Sequence, residues 1–317
     1  MIYFNGNIKK IIYQNHNISS VYACGGSLVW SGGTTPTGDK FQATYTDGSS
    51  YSVPCDGSGK LLAYGEDFTA HTTPISAIST VSIGECIKEI GYGVFKDTSL
   101  TSVTFPNSLQ TIDMASFAQC NYLTSVNIPN NVTTIGGDAF YYCTRLREIN
   151  IPSGVTTIGN STFMNCFQLS SVTIPNDSQL SSIEKYAFKS CRSLTNINIP
   201  NTVTSFDDEC FMNCSGLTSI NIPSGTLIIP DGMMNGCASL TSVTIPSTVY
   251  EIHSYAFVDC PNLQYIECLS EFAPRTINQP FDYTTYPIYV LDGSIEDYKT
   301  QWGSGYGDRI KPISQKP

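Results

Sequence analysis

The chain has 317 residues and a formal net charge of −10, with 16 Lys and Arg against 26 Asp and Glu. Because nucleic-acid binding needs a basic surface, so acidic a chain predicts no nucleic-acid partner. Apolar residues make up 41% of the chain, which is enough for a sizeable core, whereas charged residues make up only 13%. We therefore expect a folded protein whose surface is rich in neutral hydroxyl and amide groups.

The N-terminal residues carry a short repeat of their own. Asn-Ile-x-x-Ile at residues 7–11 returns as Asn-Ile-x-x-Val at residues 17–21. This pattern predicts a short β anchor segment over residues 1–30, and the Gly- and Thr-rich stretch 31–38 predicts a flexible linker. The sequence shows neither a charged segment followed by an apolar one nor a long apolar run, so we expect no signal peptide and no membrane insertion.

Residues 39–80 predict a β-hairpin that caps the start of the next region. Alternating polar and apolar residues flank Asp47-Gly48, and such a pair is typical of a tight hairpin turn. Cys24 and Cys55 both precede the next region and form the candidate disulfide pair, with two unpaired thiols as the alternative.

A 23-residue period governs residues 81–270, where a decayed unit at 81–95 precedes eight clear ones. A leucine starts each clear unit, and only one interval, of 25 residues, departs from the period. Such a sustained period indicates a repeat solenoid, because one coil cannot bury its own apolar edge whereas stacked neighbours can. The leucines are Leu100, Leu123, Leu146, Leu169, Leu194, Leu217, Leu240 and Leu263.

Each unit reads as one coil. Val126 and Ile128 alternate with polar residues, which is the pattern of a half-buried strand, and Pro129 ends that strand. Phe140 and Cys143 stand three residues apart, which predicts a short helical turn on the opposite side. The sequence therefore predicts a solenoid of about eight coils, with a parallel β-sheet on one face and short helical turns on the other.

Residues 271–317 depart from the period and predict a C-terminal cap. They contain an apolar strand at residues 287–291 and a helix from about residue 294 to 302. Asp292 or Ser294 is the expected N-cap of that helix.

The unit L-x-S-V-x-I-P-x-x-V-x-x-I-x-x-x-A-F-x-x-C resembles the BspA-like (Treponema-type) leucine-rich repeat over about residues 81–291. The C-terminal segment resembles the cap that commonly closes such arrays. The resemblance implies a right-handed leucine-rich-repeat solenoid with a role in adhesion or protein recognition on microbial surfaces. Residues 8–30 resemble leader segments of structural proteins predicted in gut Bacteroidales phages, which implies attachment to a virion.

One cysteine recurs at the same position of successive units. A disulfide ladder would force each cysteine to choose between two neighbours and would leave one over, and Asp97 fills the position in the first unit. A metal site would need further ligands beside Cys210 and Cys214, which the sequence lacks. We therefore predict a reduced cysteine ladder packed in the core and no metal. The ladder consists of Cys120, Cys143, Cys166, Cys191, Cys214, Cys237 and Cys260.

The outward strand positions carry mostly hydroxyl and amide groups, and one unit adds tyrosines and arginines. Exposed Tyr and Arg are typical of binding hot spots, so these residues form the candidate binding surface. The alternative interpretation is that the polar ladder serves only strand propensity and solubility. The candidate residues are Asn127, Tyr141, Tyr142, Arg145, Arg147, Glu148, Asn150, Asn198 and Asn221.

We find no catalytic or cofactor-binding motif, and we therefore predict a non-catalytic binding or structural protein without a cofactor. The leading hypothesis is a virion-associated tail, fibre or decoration protein. Its residues 1–38 would contact neighbouring virion proteins, and its array would recognise a protein or glycan on a host surface. The alternatives are a secreted or cell-surface adhesin whose leader is missing from this chain, and a glycan-active enzyme. Assembly into a homo-oligomer is left open.

Overall fold

Two ladders of short parallel strands run along the array, and the coils contribute strands to both. The computed structural model describes residues 40–45, 50–54, 59–61, 78–282 and 284–316. The predicted anchor segment and linker, residues 1–38, lie outside the described residues.

The strands are two to six residues long. In chain order they are β1 (Lys40–Tyr45), β2 (Ser50–Pro54), β3 (Lys60–Leu61), β4 (Ile78–Ser82), β5 (Glu89–Ile90), β6 (Ser102–Thr104), β7 (Thr111–Ile112), β8 (Ser125–Val126), β9 (Thr134–Ile135), β10 (Glu148–Asn150), β11 (Thr157–Ile158), β12 (Ser171–Thr173), β13 (Ser182–Ile183), β14 (Ser205–Phe206), β15 (Ile228–Ile229), β16 (Ser242–Ile245), β17 (Glu251–Ile252), β18 (Tyr265–Cys268), β19 (Arg275–Thr276), β20 (Ile288–Val290) and β21 (Ile310–Pro312). The described C-terminal residues add the helix α1 (Ile295–Tyr306) and short 3-10 helices at Asp292–Ser294, Gly307–Arg309 and Ile313–Gln315.

The first ladder contains β4, β6, β8, β10, β12, β16, β18, β20 and β21, and the second contains β3, β5, β7, β9, β11, β13, β14, β15, β17 and β19. Paired strands run parallel and in register, so Ile90, Ile112 and Ile135 stack on one another inside the array. The second ladder has ten described strands (its rungs), which is two more than the eight clear units of the sequence. The additional rungs, β3 and β5, lie in N-terminal coils whose sequence follows the repeat poorly.

The segments that return the chain between the ladders are not helical, contrary to the prediction. The Phe140 N–H donates to the Thr162 carbonyl of the next coil at 2.9 Å, whereas the Cys143 N–H donates three residues back, to Phe140, at 3.2 Å. Asp138 and Tyr142 have positive φ angles of 55° and 59°, which an α-helix does not allow. The segment is therefore a series of tight turns in which alternate N–H groups bind the neighbouring coil.

A stack of phenylalanine rings fills the core beside these turns. Successive rings lie 5.2–5.7 Å apart with interplanar angles of 3–22°. Met234 takes the same place between Phe211 and Phe257 and is fully buried. The ring-to-ring stacking follows from the repeat, because a residue in one coil lies against its equivalent in the next. The stacked residues are Phe95, Phe117, Phe140, Phe163, Phe188 and Phe211, followed by Phe257 and Phe281.

The predicted hairpin is confirmed and closes the N-terminal end of the first ladder. Strand β1 pairs antiparallel with β2 on one side and with β4 on the other. Strand β4 then pairs parallel with β6, so the hairpin covers an edge that would otherwise be free to pair with another chain. Residues 46–49, which include the predicted turn, lie outside the described residues.

Helix α1 closes the C-terminal end, and the predicted strand at residues 287–291 is present as β20. Trp302 packs against Phe281 with their ring centroids 5.4 Å apart, and its indole N–H donates to the Pro274 carbonyl at 2.8 Å. Tyr298 and Tyr306 lie beside them and are buried. The aromatic side chains of α1 therefore cover the exposed end of the phenylalanine stack.

The capping of α1 differs from the prediction. Ser294 stands at the N-cap, but its side chain makes no capping hydrogen bond. The Asp292 carboxylate instead accepts the Ser314 N–H at 3.1 Å, and this contact holds the pKa of Asp292 below its ordinary value. Asp292 therefore fastens the C-terminal turn to the cap and does not stabilise the helix end.

We predict that Phe163→Ala destabilises the array by about 3–5 kcal/mol, because it removes a fully buried ring from the stack and leaves a cavity. Chemical unfolding followed by circular dichroism measures the change. Phe167→Ala in the same coil is the control: its ring is half-buried, so the loss should be below about 1.5 kcal/mol. Equal losses for the two variants would contradict the role of the stack.

Candidate binding surface

The predicted polar ladder lies on the outer side of the first strand ladder. Glu148 and Asn150 flank the buried Ile149 on β10, and Glu148 stands in register with Ser125 and Ser171 of the adjacent coils. Asn127, Asn198 and Asn221 are exposed in the equivalent column. This face therefore presents neutral hydrogen-bonding groups, and Glu148 adds a carboxylate.

Asn150 differs from the other asparagines of this column. Its side-chain amide donates to the Ile128 carbonyl at 2.8 Å, and its side-chain oxygen accepts the Ile128 N–H at 3.0 Å. The amide thus completes the hydrogen bonding of the preceding coil where strand β8 ends. Both polar atoms of the Asn150 side chain are engaged within the protein.

The tyrosines and arginines lie at the corner between the turns and the first ladder. Arg145 lies over the Tyr122 ring, 5.0 Å from its centroid, and Arg192 lies over the Phe167 ring at 4.8 Å. The edge of Tyr142 meets Phe167 at a centroid distance of 5.6 Å. We name Tyr122, Tyr142, Arg145, Phe167 and Arg192 the arginine–aromatic ridge.

The ridge joins some of the predicted residues to others that the sequence analysis missed. Tyr141 contacts Tyr142, and Arg147 lies exposed just before β10. Tyr122, Phe167 and Arg192 were not predicted, since neighbours across coils are 22–25 residues apart in the chain. Aligning the units on their cysteines gives the missing signal: Tyr122 and Arg145 follow the cysteine by two residues, and Phe167 and Arg192 follow it by one.

In the middle of the array, the basic residues lie around the ridge. All five Lys and Arg residues between positions 97 and 274 lie between Arg145 and Arg192. The two lysines are neutralised, since Lys185 pairs with Asp208 at 3.4 Å and Lys189 with Glu209 at 2.7 Å. Among the described residues, no carboxylate forms an ion pair with Arg145, Arg147 or Arg192.

The predicted cysteine ladder is present, and its thiols are free and buried. Each sulfur donates to a carbonyl of the preceding coil; Cys143, for example, lies 3.1 Å from the Phe117 oxygen. Burial raises the pKa of Cys166 and Cys214 from the ordinary value of 9.0 to about 12. The thiols therefore stay protonated and act as packing groups, as do the further buried cysteines Cys210 and Cys268.

The assignment of Asp97 to the cysteine position of the first unit is wrong. That coil is one residue shorter, because Phe95 stacks on Phe117, 22 residues later. Thr98 fills the position instead and lies 3.3 Å from the Cys120 sulfur, while its hydroxyl donates to the Phe95 carbonyl.

A disulfide involves a cysteine that the sequence analysis did not single out. Cys86 is disulfide-bonded, and its partner is not one of the nine free cysteines. The predicted pair, Cys24 and Cys55, lies outside the described residues.

Three further features of the described residues concern metal ions, a histidine and a cavity. No three His, Cys, Asp or Glu side chains come together as a group that could hold a metal ion, and no described helix could span a membrane. His253 contacts the Glu251 carboxylate at 3.1 Å. A cavity of about 500 Å³ lies beside the last coil, with Asp259 and Tyr286 in its wall, and Cys260 of the cysteine ladder also lines it.

The repeat sequence and the fold together identify the family. Residues 74–191 and 156–279 match the BspA type leucine rich repeat region, in six copies. The chain belongs to this family. No curated protein matches the sequence.

Similar solved structures are leucine-rich repeat proteins. That of T. pallidum is 22% identical and has a TM-score of 0.43, and the alignment covers 59% of this chain and 85% of that one. One from Bacteroides ovatus is 18% identical with a TM-score of 0.38, covering 95% and 99%. A leucine rich cell surface protein from Faecalibacterium prausnitzii is 20% identical with a TM-score of 0.28, covering 77% and 94%.

The buried thiols predict that the BspA-type array loses stability at alkaline pH. In the folded state burial raises the pKa of Cys120, Cys166, Cys214 and Cys260 to about 12, whereas the unfolded chain releases these protons from about pH 9. The free energy of unfolding should therefore fall as pH rises through this window, by about 1.4 kcal/mol per pH unit for each thiol. Urea unfolding at a series of pH values measures this slope.

Cys166→Ser is the matched control, because a serine hydroxyl can donate to the same Phe140 carbonyl and does not titrate in this range. Its slope should be smaller than that of the unchanged protein by the contribution of one thiol. Identical slopes, or rapid thiol labelling of the folded protein at neutral pH, would contradict the assignment.

Proposed function

We propose that this BspA-type protein is a non-catalytic binding protein displayed at a surface outside the cytoplasm, where its repeat array holds a partner by adhesion-like contacts. The observation that supports this function is the arginine–aromatic ridge. Two of its arginines lie over aromatic rings at 5.0 and 4.8 Å and have no described carboxylate partner. Tyr122 is 48% exposed, so the ridge is open to a ligand.

The geometry of the ridge favours binding over a role in folding. An arginine held over an aromatic ring keeps fewer rotamers, so less conformational entropy is lost when a partner binds it. Tyr and Arg are also the residues most enriched in the energetic centres of interfaces. The core, by contrast, is complete without the ridge residues, because the phenylalanine and cysteine columns lie beneath the corner.

The cysteines support a location outside the cytoplasm. Cys86 is disulfide-bonded, and stable disulfides are typical of oxidising compartments. The nine free thiols are compatible with such a compartment, because burial keeps them protonated and inaccessible to oxidants. Display on a cell surface is the simplest arrangement that combines these features with the adhesion implied by the family resemblance.

Display on a virion is the second arrangement, and it rests on the sequence of residues 8–30. Residues 1–38 would be the anchor. They lie outside the described residues, so attachment to a virion stays a prediction. In either arrangement the array binds its partner in the same way. Only the structure to which the array is attached differs.

We predict that Arg145→Ala/Arg192→Ala lowers binding of the labelled protein to cultured epithelial cells by about tenfold or more, because it removes both stacked cations. Flow cytometry over a concentration series measures binding. Arg275→Ala/Lys299→Ala is the matched control, since it removes two exposed charges at the C-terminal end and should change binding by less than about twofold. Equal losses for both double variants would contradict a role for the ridge.

A further inference from the structure

We infer that the partner held by the ridge is a linear acidic polysaccharide that carries sulfate or carboxylate groups; this inference rests on the proposed function and specifies its ligand. Charge supports this inference first. The chain has a net charge of −10, yet Arg145, Arg147 and Arg192 lie on one side of the array without a described carboxylate partner. These arginines offer an anionic ligand a local attraction that the net charge of the chain otherwise opposes.

The chemistry of the stacked arginines also suits an acidic ligand. The Arg145 and Arg192 guanidinium groups lie over the Tyr122 and Phe167 rings, and no described hydrogen bond uses the N–H groups along their planar edges. Such edges match the oxygens of a sulfate or carboxylate group in two parallel hydrogen bonds. Lysine cannot make this arrangement, and both nearby lysines are already paired with carboxylates.

The distance between the two arginines suits a chain with repeated acidic groups. Arg145 and Arg192 belong to coils two steps apart in the stack, and each step between paired strands is about 4.8 Å. They therefore lie roughly 10 Å apart along the array. A chain with acidic groups at regular intervals can contact both, whereas a single small anion can reach one.

The strand pairing beside the ridge favours a polysaccharide over an acidic peptide. Peptides commonly bind by adding a strand to an open sheet edge or by laying a helix in an apolar groove. Beside the ridge, β10 is already paired with β8 and β12, so no open edge is present there. The adjacent sheet face carries Ser125, Asn127 and Thr173, whose hydroxyl and amide groups suit the hydroxyls of sugar rings.

The test measures binding of heparin, as a sulfated polysaccharide, and polygalacturonate, as a carboxylated one, to the full chain by calorimetry at low and high salt. We expect binding of at least one of them that weakens as salt rises, and no binding of neutral dextran. Arg145→Ala/Arg192→Ala should lower the affinity by about tenfold or more, and Arg275→Ala/Lys299→Ala by less than about twofold. Arg145→Lys/Arg192→Lys keeps the charge but loses the planar fork, so it should weaken binding to an intermediate degree.

Phe167→Leu tests the stacked geometry separately from net charge, because an affinity that depends on charge alone would not change. It keeps every charge but removes the ring beneath Arg192, and it should weaken binding by about threefold or more. An affinity unchanged by Phe167→Leu and fully retained by the lysine variant would overturn the stacked-arginine site. Tighter binding of poly-glutamate than of either acidic polysaccharide would overturn the assignment to a polysaccharide.

The outcomes also separate this inference from the proposed function. If the ridge variants lose cell binding while neither polysaccharide binds the protein, the proposed function stands and the ligand class is wrong. If the polysaccharides bind through the ridge while cell binding is unaffected by the same variants, the ligand class stands and the adhesive function is wrong.

Discussion

The hydrogen bonds between successive coils are the constraint on which the rest of the structure depends. A strand of two or three residues cannot satisfy its own backbone, so each coil must lie in register with the next. The turns obey the same rule, since the Phe140 N–H binds the Thr162 carbonyl of the following coil. A coil of this chain therefore has a defined conformation only between its neighbours, and both ends of the array must be closed by other elements.

Strict register turns the sequence repeat into columns of equivalent side chains. The phenylalanine rings stack at 5.2–5.7 Å, and each cysteine sulfur reaches back to the preceding coil. These contacts tolerate little change, because a smaller residue leaves a void against two neighbours at once. Met234 is the exception within the phenylalanine column, and a flexible thioether is the side chain best suited to fill such a gap.

Features in which one residue type repeats could be predicted from the sequence, whereas contacts that depend on the path of the chain could not. The period predicted the coils, the strands of the first ladder and the reduced cysteine ladder, but it did not predict the second ladder. The spacing of Phe140 and Cys143 predicted a helical turn, but a series of tight turns brings residues three apart to one side equally well. Positive φ angles at Asp138 and Tyr142 decide between the two, and these side chains give no sign of them.

The same limit explains why only part of the ridge could be predicted. Tyr142, Arg145 and Arg147 were visible because they depart from their own unit. Phe167 and Arg192 show no unusual feature within their own units. Their contacts form only when the coils are stacked. The one-residue difference that places Thr98, and not Asp97, in the cysteine column likewise follows from the length of a single coil.

The position of the ridge separates recognition from folding. The residue that follows the cysteine differs from coil to coil, being Asn121, Thr144, Phe167, Arg192 and Ser215 in succession, whereas the cysteine itself does not change. Buried columns must match the neighbouring coil, but an exposed corner residue need only keep the backbone path. Aromatic and cationic side chains can therefore accumulate on adjacent coils without weakening the core. In this chain they do so on the coils between Tyr122 and Arg192, where no described carboxylate neutralises the arginines.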